Sequence, residues 1–217
     1  MTLAARKALL QEADLYVVVT ERFCAGRSSL ETLRACLDAG VRIVQLREKD
    51  MADRQLLALA RAWREETRKA GALFIMDDRV DIALASDADG VHLGQSDLPL
   101  DAARQLGPTL LLGMSTHSLD EALSAQASGA DYVNIGPVFA TQTKETGVGA
   151  VGPELIAAAR PHLHIPFSCM GGIKEHNLDQ VLGQGARMIA VVTAVTAAPD
   201  PRAAAEALRK HILNGCV

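Results

Sequence analysis

Little in this sequence points to disulfide, zinc or nucleic-acid chemistry. Its four cysteines, Cys24, Cys36, Cys169 and Cys216, form no CxxC pair and no metal-finger spacing, so a disulfide framework or structural zinc has little support and reduced, cytoplasmic thiols are the expectation. Aromatic residues make up only 3% of the chain, too few for the stacking platforms that single-stranded nucleic acid uses. A formal net charge of −4 supplies no basic stripe, so nucleic acid is not an expected partner. No run approaches the roughly 20 apolar residues needed to span a bilayer. The first fourteen residues, MTLAARKALLQEAD, carry charges throughout instead of the apolar centre of a signal peptide. A soluble, unprocessed chain with no membrane partner is expected.

Also missing are a Pro/Ser-rich linker, a low-complexity tract and a GxGxxG turn after the first apolar run, where VVVTERFCAG stands. A doubly wound dinucleotide fold should carry that turn. What is present is a regular alternation. Short β-branched runs (LYVVVT at 15–20, VRIVQLR at 41–47, ALFIMD at 72–77, GVHLG at 90–94, LLLGMS at 110–115, YVNIG at 132–136, IPFSCMGG at 165–172 and RMIAVVTAV at 187–195) are separated by alanine-rich amphipathic stretches. Ser28 precedes Glu31, and Ser118 precedes Glu121, at capping-box spacing. The dipeptides Ala39-Gly40, Ala70-Gly71, Ser128-Gly129 and Gln184-Gly185 close helical patterns just before a strand. Eight such units in 217 residues predict an α/β chain folded as one (β/α)8 TIM barrel over residues 1–217, with an open doubly wound sheet as the alternative.

A barrel of this kind carries its site at the carboxyl ends of its strands. The second strand runs into Gln45, Leu46, Arg47, Glu48 and Lys49, and a period of two predicts Val41, Ile43, Gln45, Arg47 and Lys49 on one face. Arginine and lysine there suit a polyanion; the alternative is a solvated turn neutralised by Glu48 and Asp50. Asp78 and Asp97, after the third and fourth strands, are candidate Mg2+ carboxylates, against pairing of Asp78 with Arg79 and helix capping by Asp97. Asp77 and Asp78 should face opposite ways on a continuing strand. Ser115 reads either as an anion donor or as a cap, whereas His92 and His117 read as structural and stay outside the predicted site. The long connection 137–152 carries Thr141, Thr143 and Lys144, either an anion-binding lid or a soluble loop. Gly171 and Gly172, with Val192 and Thr193, close the seventh and eighth strands, where backbone N–H groups often hold phosphate.

These segments, in this order along nearly the whole chain, resemble the thiamine phosphate synthase family: QLREKD at 45–50, DDRVDIALASDADGVHLGQSD at 77–97, GMSTHS at 113–118, GPVFATQTK at 136–144, GGI at 171–173 and AVVTAV at 190–195. The resemblance implies a cytoplasmic transferase that joins hydroxymethylpyrimidine diphosphate to a hydroxyethylthiazole phosphate, in its carboxylated form, with loss of pyrophosphate. It implies pyrimidine diphosphate on Gln45, Leu46, Arg47, Glu48, Lys49, Asp77, Ser115 and Lys144, and Mg2+ on Asp78 and Asp97. Thiazole phosphate would lie on Thr141, Gln142, Thr143, Gly172, Val192 and Thr193, with Arg47, Lys49 and Lys144 as the catalytic cations. Three positions depart from the family's usual residues: Asp77 in place of asparagine, Ala140 in place of proline and Thr193 in place of serine. Competing readings are a thiazole tautomerase relative, a non-catalytic sensor of thiazole phosphate and an unrelated phosphate-binding isomerase needing a general base. The oligomeric state stays open.

Overall fold

The computed structural model describes residues 1–141 and 148–215. Its eight strands are β1 (Leu15–Val19), β2 (Ile43–Leu46), β3 (Leu73–Asp77), β4 (Gly90–Leu93), β5 (Leu111–Thr116), β6 (Tyr132–Ile135), β7 (Phe167–Cys169) and β8 (Met188–Val191). All pair in parallel with their sequence neighbours, and β1 pairs with β8 through Leu15↔Ile189, Tyr16↔Ala190 and Val17↔Val191, which closes the barrel. The open-sheet alternative is thereby excluded. Each predicted run coincides with one strand, β5 extending one residue past its run to Thr116. The surrounding helices are α1 (Leu3–Gln11), α2 (Ser29–Asp38), α3 (Asp53–Ala70), α4 (Val80–Ala85), α5 (Leu100–Leu106), α6 (Leu119–Ala127), α7 (Glu154–Ala159), α8 (Leu178–Leu182), α9 (Thr193–Thr196) and α10 (Pro201–Gly215). Among the described residues no helix is long and apolar enough to cross a membrane.

The local signals act as their chemistry requires. At α2 the capping box is complete: Ser28 Oγ accepts from Glu31 N, and Glu31 accepts from Ser28 N at 2.8 Å. At α6 only half of it forms. Ser118 Oγ accepts from Glu121 N, but Glu121 Oε2 accepts from the backbone of His117, one residue further back. Gly40, Gly71, Gly129 and Gly185 all take positive φ where helix turns into strand.

Parallel strands with a period of two sort the side chains into two cores. Val17, Val44, Phe74, Val91, Leu112, Val133, Cys169 and Ile189 point outward and pack beneath the helices. Tyr16, Val18, Ile43, Leu73, Ile75, Leu111, Tyr132, Met188 and Ala190 point into the barrel. Val41, expected on the inner face of β2, belongs instead to the outer layer, because β2 begins only at Ile43 and the pleat does not reach it.

The barrel floor is sealed by α1, which the repeat pattern does not predict. Thr2 caps it, and Leu10 joins the interior cluster. Arg6, 4% exposed, donates to Asp89 Oδ1 at 3.0 Å and to Thr109 O at 2.6 Å. Asp89 is fully buried and also accepts from Arg64 at 2.7 Å and from the backbone N–H of Phe74 at 3.1 Å. Asp14 and Asp131 repeat the device, with Arg209 on Asp14, and with Arg104 and the Leu112 amide on Asp131.

Removing one member of a buried ionic cluster strands the others out of water and costs about 3–5 kcal/mol. Asp89→Ala would leave the buried Arg6 guanidinium facing no carboxylate and Arg64 only the more distant Asp87, 3.6 Å away. Thermal unfolding followed by circular dichroism is expected to show a midpoint lower by roughly 6–20 °C, whereas loss of the exposed pair in Arg202→Ala is expected to shift it by about 2 °C or less.

Candidate active site

The inward positions near the carboxyl ends of the strands are polar on six consecutive strands. Gln45, Asp77, His92, Ser115, Asn134 and Ser168 occupy β2 to β7 in order. Register makes several of them direct neighbours: Asp77↔His92, Ser115↔Asn134 and Asn134↔Ser168. Because an unpaired buried polar group is costly, they bond to one another. Gln45 donates to Tyr16 OH (2.7 Å), Tyr16 OH meets Tyr132 OH (3.1 Å), Tyr132 OH meets His92 Nδ1 (3.2 Å), and His92 Nε2 meets Ser115 Oγ (2.9 Å). Ser168 donates to Asn134 Oδ1 at 2.8 Å. Burial raises the pKa of both tyrosines, more than any other influence on either, so they stay neutral hydroxyls and relay hydrogen bonds instead of carrying charge. Gly113 makes room for this chain: a Cβ there would collide with the Tyr132 ring and with His92 Nδ1.

Charge gathers where β2 and β3 end. Asp77, with a side chain only 9% exposed, sits 3.6 Å from Arg47 Nε and 3.2 Å from Lys49 Nζ. The same lysine ammonium contacts Asp78. Alternation predicts that Asp77 and Asp78 diverge, yet both reach Lys49. The reason is local: β3 stops at Asp77, and Asp78 takes a left-handed φ of 55°, which breaks the pleat. The Asp78 N–H still donates to His92 O at 2.9 Å, tying it to β4. Arg79 does not neutralise Asp78; it pairs with Asp53 and Asp81 and lowers the pKa of both by hydrogen bonding. Asp97 does not cap α5 either. Its carboxylate accepts from Gly94 N at 2.6 Å, in the turn that leaves β4.

Other predicted residues fall in more than one place. Leu46 is fully buried in the outer core, so only its backbone belongs to the inner side of β2. Glu48 accepts from the Glu21 amide at 2.7 Å, and desolvation raises its pKa. Ser115 does not cap a helix; it lies in β5 against His92. Thr141, Gly172, Val192 and Thr193 line one cavity of about 570 Å³ at the ends of β7 and β8, together with Phe23, Met170 and Lys174. Gln142, Thr143 and Lys144 lie outside the described residues.

This cavity shares Phe23, Met170 and Val192 with a smaller central one of about 50 Å³, lined also by Gln45, Arg47, Asp77, His92, Ser115 and Asn134. The central cavity in turn shares Thr20 and Arg47 with a third, of about 620 Å³, bordered by Arg22, Arg27, Glu48, Lys49 and Asp50. The three form one trough across the barrel mouth, with cations and carboxylates along one arm and glycine backbone along the other. Tyr16, His92, Tyr132, Asn134 and Ser168 were absent from the residues predicted here. Polar side chains two apart within an apolar strand, as Tyr132 and Asn134 are, were the available signal.

Among the described residues no group of three or more His, Cys, Asp or Glu side chains forms a ready-made metal cage. Mg2+ does not require one, since it keeps several waters and takes one or two carboxylates plus substrate phosphates. The hard oxygen donors Asp78 and Asp97, both anchored to the β3–β4 corner by the bonds above, fit that requirement.

A family model described as thiamine monophosphate synthase matches residues 15–195. The chain is 44% identical over 204 residues to the thiamine-phosphate synthase of Pelotomaculum thermopropionicum, covering 94% of each. It is 46% identical over 200 residues to that of Moorella thermoacetica, covering 92% of this chain and 95% of the other. A solved thiamine phosphate pyrophosphorylase from Pyrococcus furiosus is similar at a TM-score of 0.89 and 38% identity, over 96% of this chain and 100% of that one.

Overpacking at the buried chain of hydroxyls is expected to cost about 1–3 kcal/mol. Gly113→Ala should therefore lower the urea midpoint measurably, while Gly149→Ala, where an added methyl meets open space, should leave it in place.

Proposed function

The chain belongs to the thiamine monophosphate synthase family, transferases of thiamine biosynthesis, and from that premise we propose how its own residues run the reaction. The proposed substrates are hydroxymethylpyrimidine diphosphate and a hydroxyethylthiazole phosphate, with or without its carboxyl group. The observation that carries this reading is the trough itself, in which a cation-and-carboxylate arm and a glycine-lined arm meet over a polar barrel interior.

In this reading the pyrimidine ring enters the central cavity near Gln45 and Ser115, and its diphosphate extends toward Arg47 and Lys49. The C–O bond at the methylene carbon breaks, its electron pair leaves with pyrophosphate, and the thiazole nitrogen donates a pair to the same carbon; where the thiazole is carboxylated, its C–carboxylate bond then breaks, carbon dioxide leaves and the pair left on the ring system takes up a proton. The aminopyrimidine carries the transient positive charge, so no protein nucleophile is needed. What the protein contributes is orientation and preorganised charge. Arg47, Lys49 and Lys144 take up negative charge on the departing oxygens. Asp78 and Asp97 would hold Mg2+, which when bound supplies further positive charge to the diphosphate. Asp77 keeps Arg47 and Lys49 together, a role an amide at this position would fill without charge. Thr141 to Thr143, Gly172, Val192 and Thr193 hold the thiazole phosphate. Charged surface and the lack of a membrane-length helix among the described residues support a cytoplasmic enzyme.

Purified protein given both substrates is expected to form thiamine phosphate with Mg2+ and to stop in excess chelator. Asp97→Asn should lose turnover while retaining its circular dichroism spectrum; full activity in chelator would refute the two-carboxylate assignment. Lys144→Ala is expected to lower kcat and kcat/KM together by about a hundredfold to a thousandfold, the signature of a contact made chiefly in the transition state. Single-turnover product formation at saturating substrates measures this directly, and a wild-type rate would remove Lys144 from the catalytic set.

A further inference from the structure

Lys174 stands directly after the Gly171–Ile173 segment and lines the 570 Å³ cavity. Its partly buried ammonium donates to Thr193 Oγ1 at 3.0 Å, across from the end of β7 to the end of β8. Lys7, Lys49 and Lys69 are paired with carboxylates, and Lys210 is exposed. Among the described residues Lys174 is thus the one lysine both withdrawn from water and without a carboxylate partner. A neutral hydroxyl offsets only part of the cost of desolvating an ammonium.

The segment is also held in shape. Lys174 N donates to Asn177 Oδ1 at 2.7 Å, and Asn177 Nδ2 donates to Gly172 O at 3.0 Å. One buried amide therefore clasps both ends of Gly172–Lys174. Gly172 itself takes a φ of +61°, and a Cβ there would lie 2.6 Å from Ala140 O. The result is close-approaching backbone and, among the described residues, a single ammonium facing one cavity.

We infer that Lys174 supplies the formal positive charge of the second-substrate pocket and binds the phosphate monoester of the thiazole, with Thr193 as its anchor and Asn177 as the positioning residue for its loop. This rests on the reading proposed above. A phosphate monoester carries close to two negative charges at neutral pH, and backbone amides alone distinguish it weakly from other acceptors. An ammonium makes the pocket selective for the phosphorylated thiazole over the free alcohol, and makes its binding sensitive to salt.

The test uses the full-length protein and the variants Lys174→Met, Lys174→Gln and Lys174→Arg. With thiazole phosphate varied at saturating pyrimidine diphosphate, Lys174→Met and Lys174→Gln should raise its KM roughly 10- to 100-fold, the loss expected for a charge-assisted hydrogen bond. The KM for pyrimidine diphosphate and the saturated kcat should stay within about twofold, and Lys174→Arg should restore most of the affinity. Calorimetric titration of inorganic phosphate, which needs no turnover, should show weaker binding in the two neutral variants. An inactive wild type would defeat the family-based reading of the substrates, and the phosphate titration would still decide the role of Lys174. Unchanged KM together with unchanged phosphate binding, or equal losses for both substrates, would overturn the inference.

Discussion

Closure of the sheet through β1 and β8 is the constraint on which the rest depends. Once the ladder returns on itself, every second residue of eight strands must point into a space with no exit except the two ends. At the floor the space is filled by Ile43, Leu73, Leu111, Met188 and the α1 residue Leu10. Toward the mouth the same alternation brings in Gln45, Asp77, His92, Ser115, Asn134 and Ser168, which would be unaffordable in a dry core. They are tolerated because they bond to one another directly or through the Tyr16 and Tyr132 hydroxyls, because Asp77 pairs with Arg47 and Lys49, and because all but Ser168 border the trough. The site is the upper layer of the barrel's own interior, continued into the loops.

The electrostatics of the mouth follow from the same geometry. Arg47 and Lys49 are brought against Asp77 and Asp78, so two cations face two carboxylates. Their attraction keeps flexible side chains at the ends of β2 and β3. In the reading proposed above, a polyanion would exchange one set of acceptors for another instead of ordering the cations from free solution, and that lowers the entropic cost of assembling the site. The glycine arm is built differently: its backbone is fixed by Asn177, and among the described residues lining it Lys174 carries the charge.

Much of this was legible in the chain. Eight β-branched runs gave the eight strands because a buried parallel strand needs little else, and the glycines before the strands marked their helix ends. Arg47, Lys49 and Gly172 were visible because charge or glycine at a strand end is conspicuous. Other features were hidden for physical reasons. The joint approach of Asp77 and Asp78 to Lys49 depends on one left-handed residue, and a rule of alternation assumes the strand continues. His92 looked like an ordinary core histidine, and its tie to Ser115 depends on β4 and β5 lying side by side with Gly113 vacating volume for Tyr132. Lys174 was passed over because its isolation from carboxylates is a fact of three-dimensional neighbourhood. The α1 helix escaped because its amphipathic signal is weak and its partners lie far along the chain.

That last separation has a consequence for how the molecule comes into being. The helix that seals the barrel floor is made before its partners: Arg6 finds Asp89 and Thr109 83 and 103 residues later. At about 5–20 residues per second, a ribosome needs roughly 4–17 s to deliver Asp89 after Arg6. For that interval Arg6 lacks its carboxylate, and a short helix without its tertiary partners is marginal in water. The seal at the base of the barrel is therefore secured only after β4 and the residues leading into β5 have been made.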